Sequence, residues 1–395
     1  MREKEIQSKS VRAVREVFDA AGRMVRLKRV PIVPNRVFFA TYQAAYTCNC
    51  KYIAEEILRR KLDYELFFCV SREVCENRDA YHIPKEIRLV EKYSGEHFRV
   101  QASSAFWIDN GLNCIWKRVP KRAGQMYLNT WHGSLGIKRL DGSRHWRAVA
   151  RYGNRRIDYF LTDSVFDEHV FSESFWPDVK HLKVGHPRND ILFQRENREE
   201  IRQQIYLRYQ IDQNERTLLY APTFREHEIR HPDFGKLAGA CSERFGGAWR
   251  ILVRCHFHDI GDGLWGGEGT ESAFVTDVSD YPDIQELMTA VDAGLTDYSS
   301  WIFDFVFTGK PAFLYTADQD CYADERGFYY PLSETPFAVA EDDARLCENI
   351  RQFDCEEYKK RCELFLQARG CYERGNASEQ VVNFIVSNTE GIERK

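Results

Sequence analysis

The chain has 395 residues, 43% hydrophobic and 29% charged, a length that suits two domains better than one, each with its own core. The net charge of −4 argues against nucleic acid as a main partner, so any phosphate-binding patch has to be local. The 12 cysteines are scattered without a CxxC pair; zinc-ligand spacing is absent, and a reduced cytoplasmic protein is the simplest account. No run of about 18 apolar residues occurs, so the sequence predicts no membrane-spanning helix and leaves open a chain that lies on a membrane.

Residues 8–29 read as an amphipathic helix. Val11, Val14, Phe18, Ala21 and Val25 recur at spacings of three and four on one face, and Arg12, Arg15, Arg23, Arg26, Lys28 and Arg29 make the remainder basic. Two readings stay open: a helix packed on its own domain, or an interfacial helix on an anionic leaflet, where each basic residue adds about 1 kcal/mol. Pro31 and Pro34 end it. Short apolar runs at 36–41, 66–70, 105–109, 125–130 and 159–163 then read as strands, with helix-like segments between them, one at 50–61. A polar helical connector follows at 194–209, and strands resume at 217–222, 249–254, 273–276, 293–297 and 311–315 before a largely helical tail at 341–387. Strict alternation predicts parallel α/β sheets. The expected layout is an N-terminal helix over 1–30, domains over 31–200 and 215–340, and a helical segment over 341–395, with a ligand cleft at the carboxyl ends of both sheets.

Residues 130–138 form a glycine-rich loop straight after an apolar strand, the kind of turn that presents backbone N–H groups and side chains to a ligand. Its residues of interest are Trp131, His132, Gly133, Ser134 and Lys138. His132 is a candidate general base near neutral pH, with a structural histidine as the alternative. Arg254 and His256 sit two apart after another strand, which suits a phosphate clamp. His256 with His258 lacks the carboxylate cluster a metal would need. Thr296, Asp297, Ser299 and Ser300 span a strand end and a helix start, where hydroxyls and N–H groups bind phosphate or simply cap the helix. Arg225 follows Tyr220-Ala-Pro-Thr-Phe, placed to reach an anion across the cleft, and the Gly-Pro content of 185–190 makes a hinge-shaping turn.

In order, the Trp-His-Gly loop, the Gly-His-Pro-Arg-Asn-Asp turn, Tyr-Ala-Pro-Thr-Phe-Arg, Arg-Cys-His and the Thr-Asp-Tyr-Ser-Ser to Phe-Asp-Phe block resemble the CDP-glycerol glycerophosphotransferase family, the primases and polymerases of wall teichoic acid. Lys310-Pro and Arg326-Gly-Phe continue the same order, and the resemblance runs roughly from Val37 to Phe337. It implies an α/β, GT-B-like fold of two Rossmann-like domains facing across a cleft. It implies CDP-glycerol, or another CDP-polyol such as CDP-ribitol, as donor. The acceptor it implies is lipid-linked or a polyol-phosphate glycan, with CMP released, in teichoic-acid-like or capsular polymer synthesis. His132 matches the candidate base and His256 a donor-phosphate ligand. Thr296, Ser299 and Ser300 match donor-binding positions, and Arg225, Arg254 and Asp297 join them as candidates. No obligatory cofactor is implied, and Mg²⁺ on the diphosphate is left open.

A lipid-linked acceptor would place the enzyme peripherally on the inner face of the bacterial cell membrane. An anionic membrane surface would then be a partner, met by residues 8–29 and a second basic patch at Arg144, Trp146, Arg147, Arg151, Arg155 and Arg156. A nucleotide-sugar glycosyltransferase on the same architecture and a non-enzymatic binder are the rival readings. Three positions depart from the family's usual pattern. Ser134-Leu-Gly-Ile-Lys138 replaces Thr-Pro-Leu-Lys, His186 replaces tyrosine, and Phe257 replaces proline.

Overall fold

The computed structural model describes residues 22, 24–115, 119–139, 144–223, 230–255, 274–319 and 327–393. The apolar runs form two parallel sheets. The first contains β1 (Val33–Ala40), β2 (Glu65–Val70), β3 (Arg88–Glu91), β4 (Ser104–Asp109), β5 (Met126–Asn129), β6 (Tyr159–Thr162) and β7 (Lys180–Lys183), in the order β3-β2-β1-β4-β5-β6-β7. The second contains β8 (Arg216–Tyr220), β9 (Trp249–Val253), β10 (Val275–Asp277), β11 (Ala293–Thr296), β12 (Ala312–Tyr315) and β13 (Ala338–Ala340), in the order β10-β9-β8-β11-β12-β13. Every pairing is parallel. Each sheet is doubly wound, with strand order reversing between β1 and β4 and between β8 and β11, and ligands bind outside the carboxyl ends of strands at such switch points.

Strands β4, β11 and β12 are buried along their whole length, which is why they read as unbroken apolar runs. Sequence patterning gives no strand at β3, β7 or β13. All three are sheet edges, short and partly exposed, so their residues need not be apolar. The connector expected at 194–209 is the helix Arg198–Arg208, and it belongs to the second domain: Ile205 and Tyr206 lie in that core, and Arg202 pairs with Asp292 at 3.1 Å. The last helix, Ala377–Glu393, crosses back to the first domain. There Val381, Val382 and Ile385 pack with Val37, Ile53 and Ile57, and the amides of Ala377 and Ser378 donate to the Asp190 carboxylate.

Most of the amphipathic helix expected at 8–29 lies outside the described residues. Residues 24–28 at its end are helical. Leu27 is buried, whereas Val25, assigned to the apolar face, is 55% exposed. No helix among the described residues is long and apolar enough to cross a membrane.

A buried ionic clamp joins the domains. Lys51, on the helix Cys48–Arg59, donates to Asp283 at 2.7 Å and Glu286 at 2.5 Å, and the Tyr52 hydroxyl donates to Asp283 at 2.9 Å. Burial alone would push the ammonium pKa down; Asp283, Glu55 and Glu286 outweigh it and raise it. Removing the cation leaves two carboxylates facing each other with little water. Lys51→Met is therefore expected to destabilise the protein by about 3–5 kcal/mol in urea unfolding, with part recovered when Asp283→Asn is added. A cost under about 1 kcal/mol would show that the clamp contributes nothing to the domain contact.

Candidate active site

After β5 the chain turns into the cleft through Thr130, Trp131 and His132. Trp131 and Leu135 have φ of 51° and 42°, a left-handed conformation that non-glycine residues hold only when their surroundings impose it. Here the surroundings are buried amides. Asn129 Oδ1 accepts from the Trp131 amide at 3.0 Å, and Asn49 Nδ2 donates to the carbonyls of Thr130 and Trp131 at 3.0 and 3.2 Å. The Trp131 ring packs edge-on against Phe171 and Trp176.

His132 is thereby presented with a defined tautomer. Its Nδ1 lies 2.6 Å from the Asn110 carbonyl oxygen. A carbonyl only accepts, so Nδ1 carries the proton and Nε2 keeps its lone pair. Nε2 has no hydrogen-bond partner among the described residues, and the ring is exposed to the cleft. Its faces stack on Tyr42 and Trp131 at centroid distances of 5.3 and 4.7 Å. Desolvation holds the imidazole pKa below the ordinary histidine value; the bond to Asn110 opposes this, and the Arg188 charge adds to it.

The second domain meets this loop directly. A Cβ at Gly133 or Gly136 would stand 3.5 and 3.4 Å from the Ser300 side chain. Ser300 lies beyond the carboxyl end of β11 and precedes a helix of only five residues, Trp301–Phe305, which it does not cap with its side chain. The hydroxyls of Ser299 and Ser300 make no hydrogen bond among the described residues, so both are available to a ligand. Thr296 and Asp297 are engaged inside the protein. The Thr296 hydroxyl donates to the Ala221 carbonyl at 2.6 Å, and Asp297 accepts from the amide and hydroxyl of Thr223 at 2.9 and 2.8 Å. They shape the loop between β8 and β11. Lys138 Nζ reaches Thr223 at 3.3 Å, and Tyr330 donates its hydroxyl to the Leu135 carbonyl, stitching the far side of the loop to the second domain.

Arg254 leaves β9 at the same sheet edge, with β8 between β9 and β11. Among the described residues it has one side-chain hydrogen bond, Nη2 to the Tyr281 carbonyl at 3.4 Å, and no carboxylate within ion-pair distance; its Nε is buried without a partner. A guanidinium so placed is incompletely compensated, and desolvation lowers its pKa. Arg225, His256 and His258 lie outside the described residues, as do the side chains of Arg144, Trp146 and Arg147. Of that second basic patch, Arg151 and Arg155 are exposed. Arg156 instead donates to Tyr152 and to the Val119 carbonyl.

Beneath the loop is a buried ionic network that joins two of the departures noted above. Ser134 donates to Asp163, and His186 Nδ1 lies 3.3 Å from the same carboxylate and 3.7 Å from Glu373. Arg188 pairs with Asp304 through two nitrogens, at 2.9 and 3.2 Å, and its amide donates to Asn49 Oδ1 at 3.1 Å. Gly185, with φ of 88°, lets Glu373 pass: a Cβ there would be 2.3 Å from Glu373 Oε2. Asp163, His186 and Glu373 are close enough to ligate one ion. Burial and the Arg188 charge oppose the imidazolium, and Asp163 with Glu373 overcomes them, raising the His186 pKa to about 10. The three side chains form a buried cluster of one imidazole between two carboxylates.

Sequence patterning did not single out Asn49, Asn110, Tyr42, Asp163 or Glu373, because each acts through a contact distant in the chain. The larger cavity, about 700 Å³, lies at the amino ends of β1 and β2 beside Arg36 and Phe67, away from these motifs. A smaller one of about 210 Å³ opens at the carboxyl ends beside Tyr42.

A raised folded-state pKa means that His186 contributes its full stabilisation below its unfolded value of about 6.5 and loses it as pH rises through about 10. The stability difference between wild type and His186→Gln, from urea unfolding at pH 6, 8 and 10, should therefore be largest at pH 6 and shrink upward. A difference that grows with pH would mean that the histidine is buried neutral.

Residues 23–387 match the family model described as CDP-glycerol:poly(glycerophosphate) glycerophosphotransferase. The chain is 27% identical over 383 residues to the teichoic acid poly(glycerol phosphate) polymerase of Bacillus subtilis (strain 168), covering 90% of this chain and 49% of that protein. Thus it spans about half the length of that relative. It is 28% identical over 372 residues to the teichoic acid glycerol-phosphate transferase of Staphylococcus aureus (strain NCTC 8325 / PS 47), covering 89% and 92%. Its fold superposes on the wall teichoic acid polymerase TagF with a TM-score of 0.81 at 23% identity, over 97% of this chain and 98% of that one. Because that model matches most of the chain, the chain belongs to the CDP-glycerol:poly(glycerophosphate) glycerophosphotransferase family.

Proposed function

We propose that the cleft transfers glycerol phosphate from CDP-glycerol to an acceptor hydroxyl and releases CMP, in the synthesis of a teichoic-acid-like cell-surface polymer. The observation that carries the reading is a histidine with a free, cleft-facing Nε2 set against a donor-domain edge bearing unengaged serine hydroxyls and an uncompensated guanidinium. Family membership supplies the substrate class.

In this reading the acceptor hydroxyl gives its proton to His132 Nε2. Its oxygen attacks the glycerol-bearing phosphorus of the donor, a new P–O bond forms, and the P–O bond to the cytidine phosphate breaks with its electron pair leaving on CMP. Nδ1 stays bonded to Asn110, so the ring keeps its orientation as it becomes cationic. Ser299, Ser300 and Arg254 meet the diphosphate charge, which is the dominant barrier for an anionic electrophile. Thr296 and Asp297 position that edge. His256 and Arg225 retain their sequence-based assignment to the donor phosphates. No obligatory metal enters the reading; Mg²⁺ bound by the diphosphate is compatible with it.

CDP-ribitol is the competing donor, because the chain is 29% identical over 287 residues to the teichoic acid ribitol-phosphate primase of Bacillus spizizenii (strain ATCC 23059 / NRRL B-14472 / W23). We also place the enzyme at the inner face of the membrane, held by the basic amphipathic segment, whose Val25 faces solvent. Liposome sedimentation with and without residues 1–29 tests that placement.

CMP release from CDP-glycerol and CDP-ribitol tests the reaction; diphosphate nucleotide release from a sugar nucleotide instead would reassign it. His132→Ala should lower turnover by about 100-fold or more, and near-wild-type turnover would remove its role as base. A base whose pKa is depressed stays neutral further into acid, so kcat/KM should hold at pH 7 and fall only below the ordinary value of about 6.5. Arg254→Ala and Ser300→Ala should each weaken CDP-glycerol by roughly 1.5–3 kcal/mol in calorimetric titration; unchanged affinity in both would move the donor site.

A further inference from the structure

The cavity of about 210 Å³ beside Tyr42, whose ring stacks on His132, has a composition that the transfer reaction alone does not require. Tyr42, Lys92 and Tyr93 wall it at the carboxyl ends of β1 and β3. Tyr42 and Tyr93 are the only exposed tyrosines among the described residues, at 53% and 57%. Large aromatic faces left in water on one concavity mark a ligand surface more than a core defect.

Each tyrosine is held in place by the surrounding structure. Tyr93 has φ of 69°, a conformation costing of order 1–3 kcal/mol for a residue with a side chain. Its amide donates to His97 Nδ1 at 2.9 Å, and its ring lies parallel to the His97 ring at 6.3 Å. Tyr42 is fixed by Asn110, whose Oδ1 accepts from the Tyr42 amide at 2.7 Å. The same Asn110 orients His132 through its carbonyl. One residue therefore sets both the base and a wall of the cavity, and the Tyr42 ring lies 5.3 Å from the His132 ring. Lys92 Nζ sits 5.4 Å over the Tyr93 ring and has no carboxylate within ion-pair distance among the described residues.

We propose that this cavity is the acceptor subsite, and that it takes a pyranose ring against the tyrosine faces with an adjoining phosphate on Lys92. The inference rests on the transfer reading above and refines its acceptor. A pyranose has an apolar face to lay on an aromatic ring; a glycerol phosphate chain has none. The cavity is below the about 300–1,000 Å³ of pockets for drug-sized ligands, so it suits one ring. A ring seated there would border Tyr42, whose own ring stacks on His132, while the lysine charge would offset the phosphate.

The test uses the full chain with saturating CDP-glycerol and two soluble acceptors, an alkyl disaccharide 1-phosphate and a glycerol phosphate oligomer, read by CMP release. Tyr42→Ala, Tyr93→Asn and Lys92→Gln should each raise KM for the disaccharide phosphate by about tenfold. KM for CDP-glycerol should move less than about twofold. Asparagine tolerates the backbone of Tyr93, and Tyr93→Phe and Lys92→Arg should restore wild-type values, which separates binding from misfolding. Unchanged disaccharide KM in all three variants overturns the proposal, as does a wild type that extends only the oligomer. If wild type releases no CMP with either acceptor, the transfer reading fails; saturation-transfer NMR with the disaccharide phosphate then decides the cavity alone. Signal lost in Tyr42→Ala and Tyr93→Asn upholds it, and no signal with wild type ends it.

Discussion

The pairing of Arg188 with Asp304 is the contact on which the cleft depends. Both are almost fully buried, one in the turn that closes the first domain and the other in the short helix behind Ser300. Two buried charges lose hydration worth several kcal/mol each, and only close, bidentate geometry offsets that. Little sliding of one domain on the other is then tolerated, because a small displacement would leave an uncompensated charge. An apolar contact of the same area would be more permissive. Asn189, donating to both Asp304 and Glu373 at 3.1 and 2.9 Å, extends the same constraint to the segment that leads into the last helix.

From that anchor the order passes outward by single hydrogen bonds. The Arg188 amide holds Asn49, Asn49 holds the carbonyls of Thr130 and Trp131, and these hold the backbone that carries His132. His132 is thus placed relative to Ser300 and the second domain by a path running through the domain contact itself. Ser134 and His186 depart from the usual family residues together, and they meet on one carboxylate, Asp163. A buried histidine can supply a positive charge there, whereas a tyrosine hydroxyl supplies only a hydrogen bond. The departures fall beneath the loop, so they alter its support and leave His132 facing the cleft.

Much of the fold was legible in the residues because central parallel strands are buried on both faces and must be apolar at every position. That is the case for Ala105-Phe-Trp-Ile108 and Ala293-Gly-Leu295, and a polar residue appears only at the strand end that follows. The edge strands Arg88–Glu91, Lys180–Lys183 and Ala338–Ala340 carry no such demand, and patterning did not show them. The Trp-His-Gly loop and the paired serines were legible for a related reason: they occupy strand exits, where residue type answers to a ligand and less to packing.

Residue order alone settled the alternation of elements, and with it two parallel sheets and the strand ends from which ligand groups project, since side-chain burial and backbone reach are local properties. It also named His132, Arg254, Ser299 and Ser300 as groups of the right chemistry. Which of the neighbouring polar groups face a ligand was decided only by the folded chain. Thr296 and Ser300 look alike in sequence, yet one hydroxyl is bonded to Ala221 and the other lies open beside Gly133. The tautomer of His132 belongs to the same class, because it is set by a carbonyl 22 residues away in the chain and 2.6 Å away in space. Hydrogen bonds and ion pairs select by distance and angle between atoms, and for partners remote in sequence those quantities exist only once the chain has folded and brought the strand ends together.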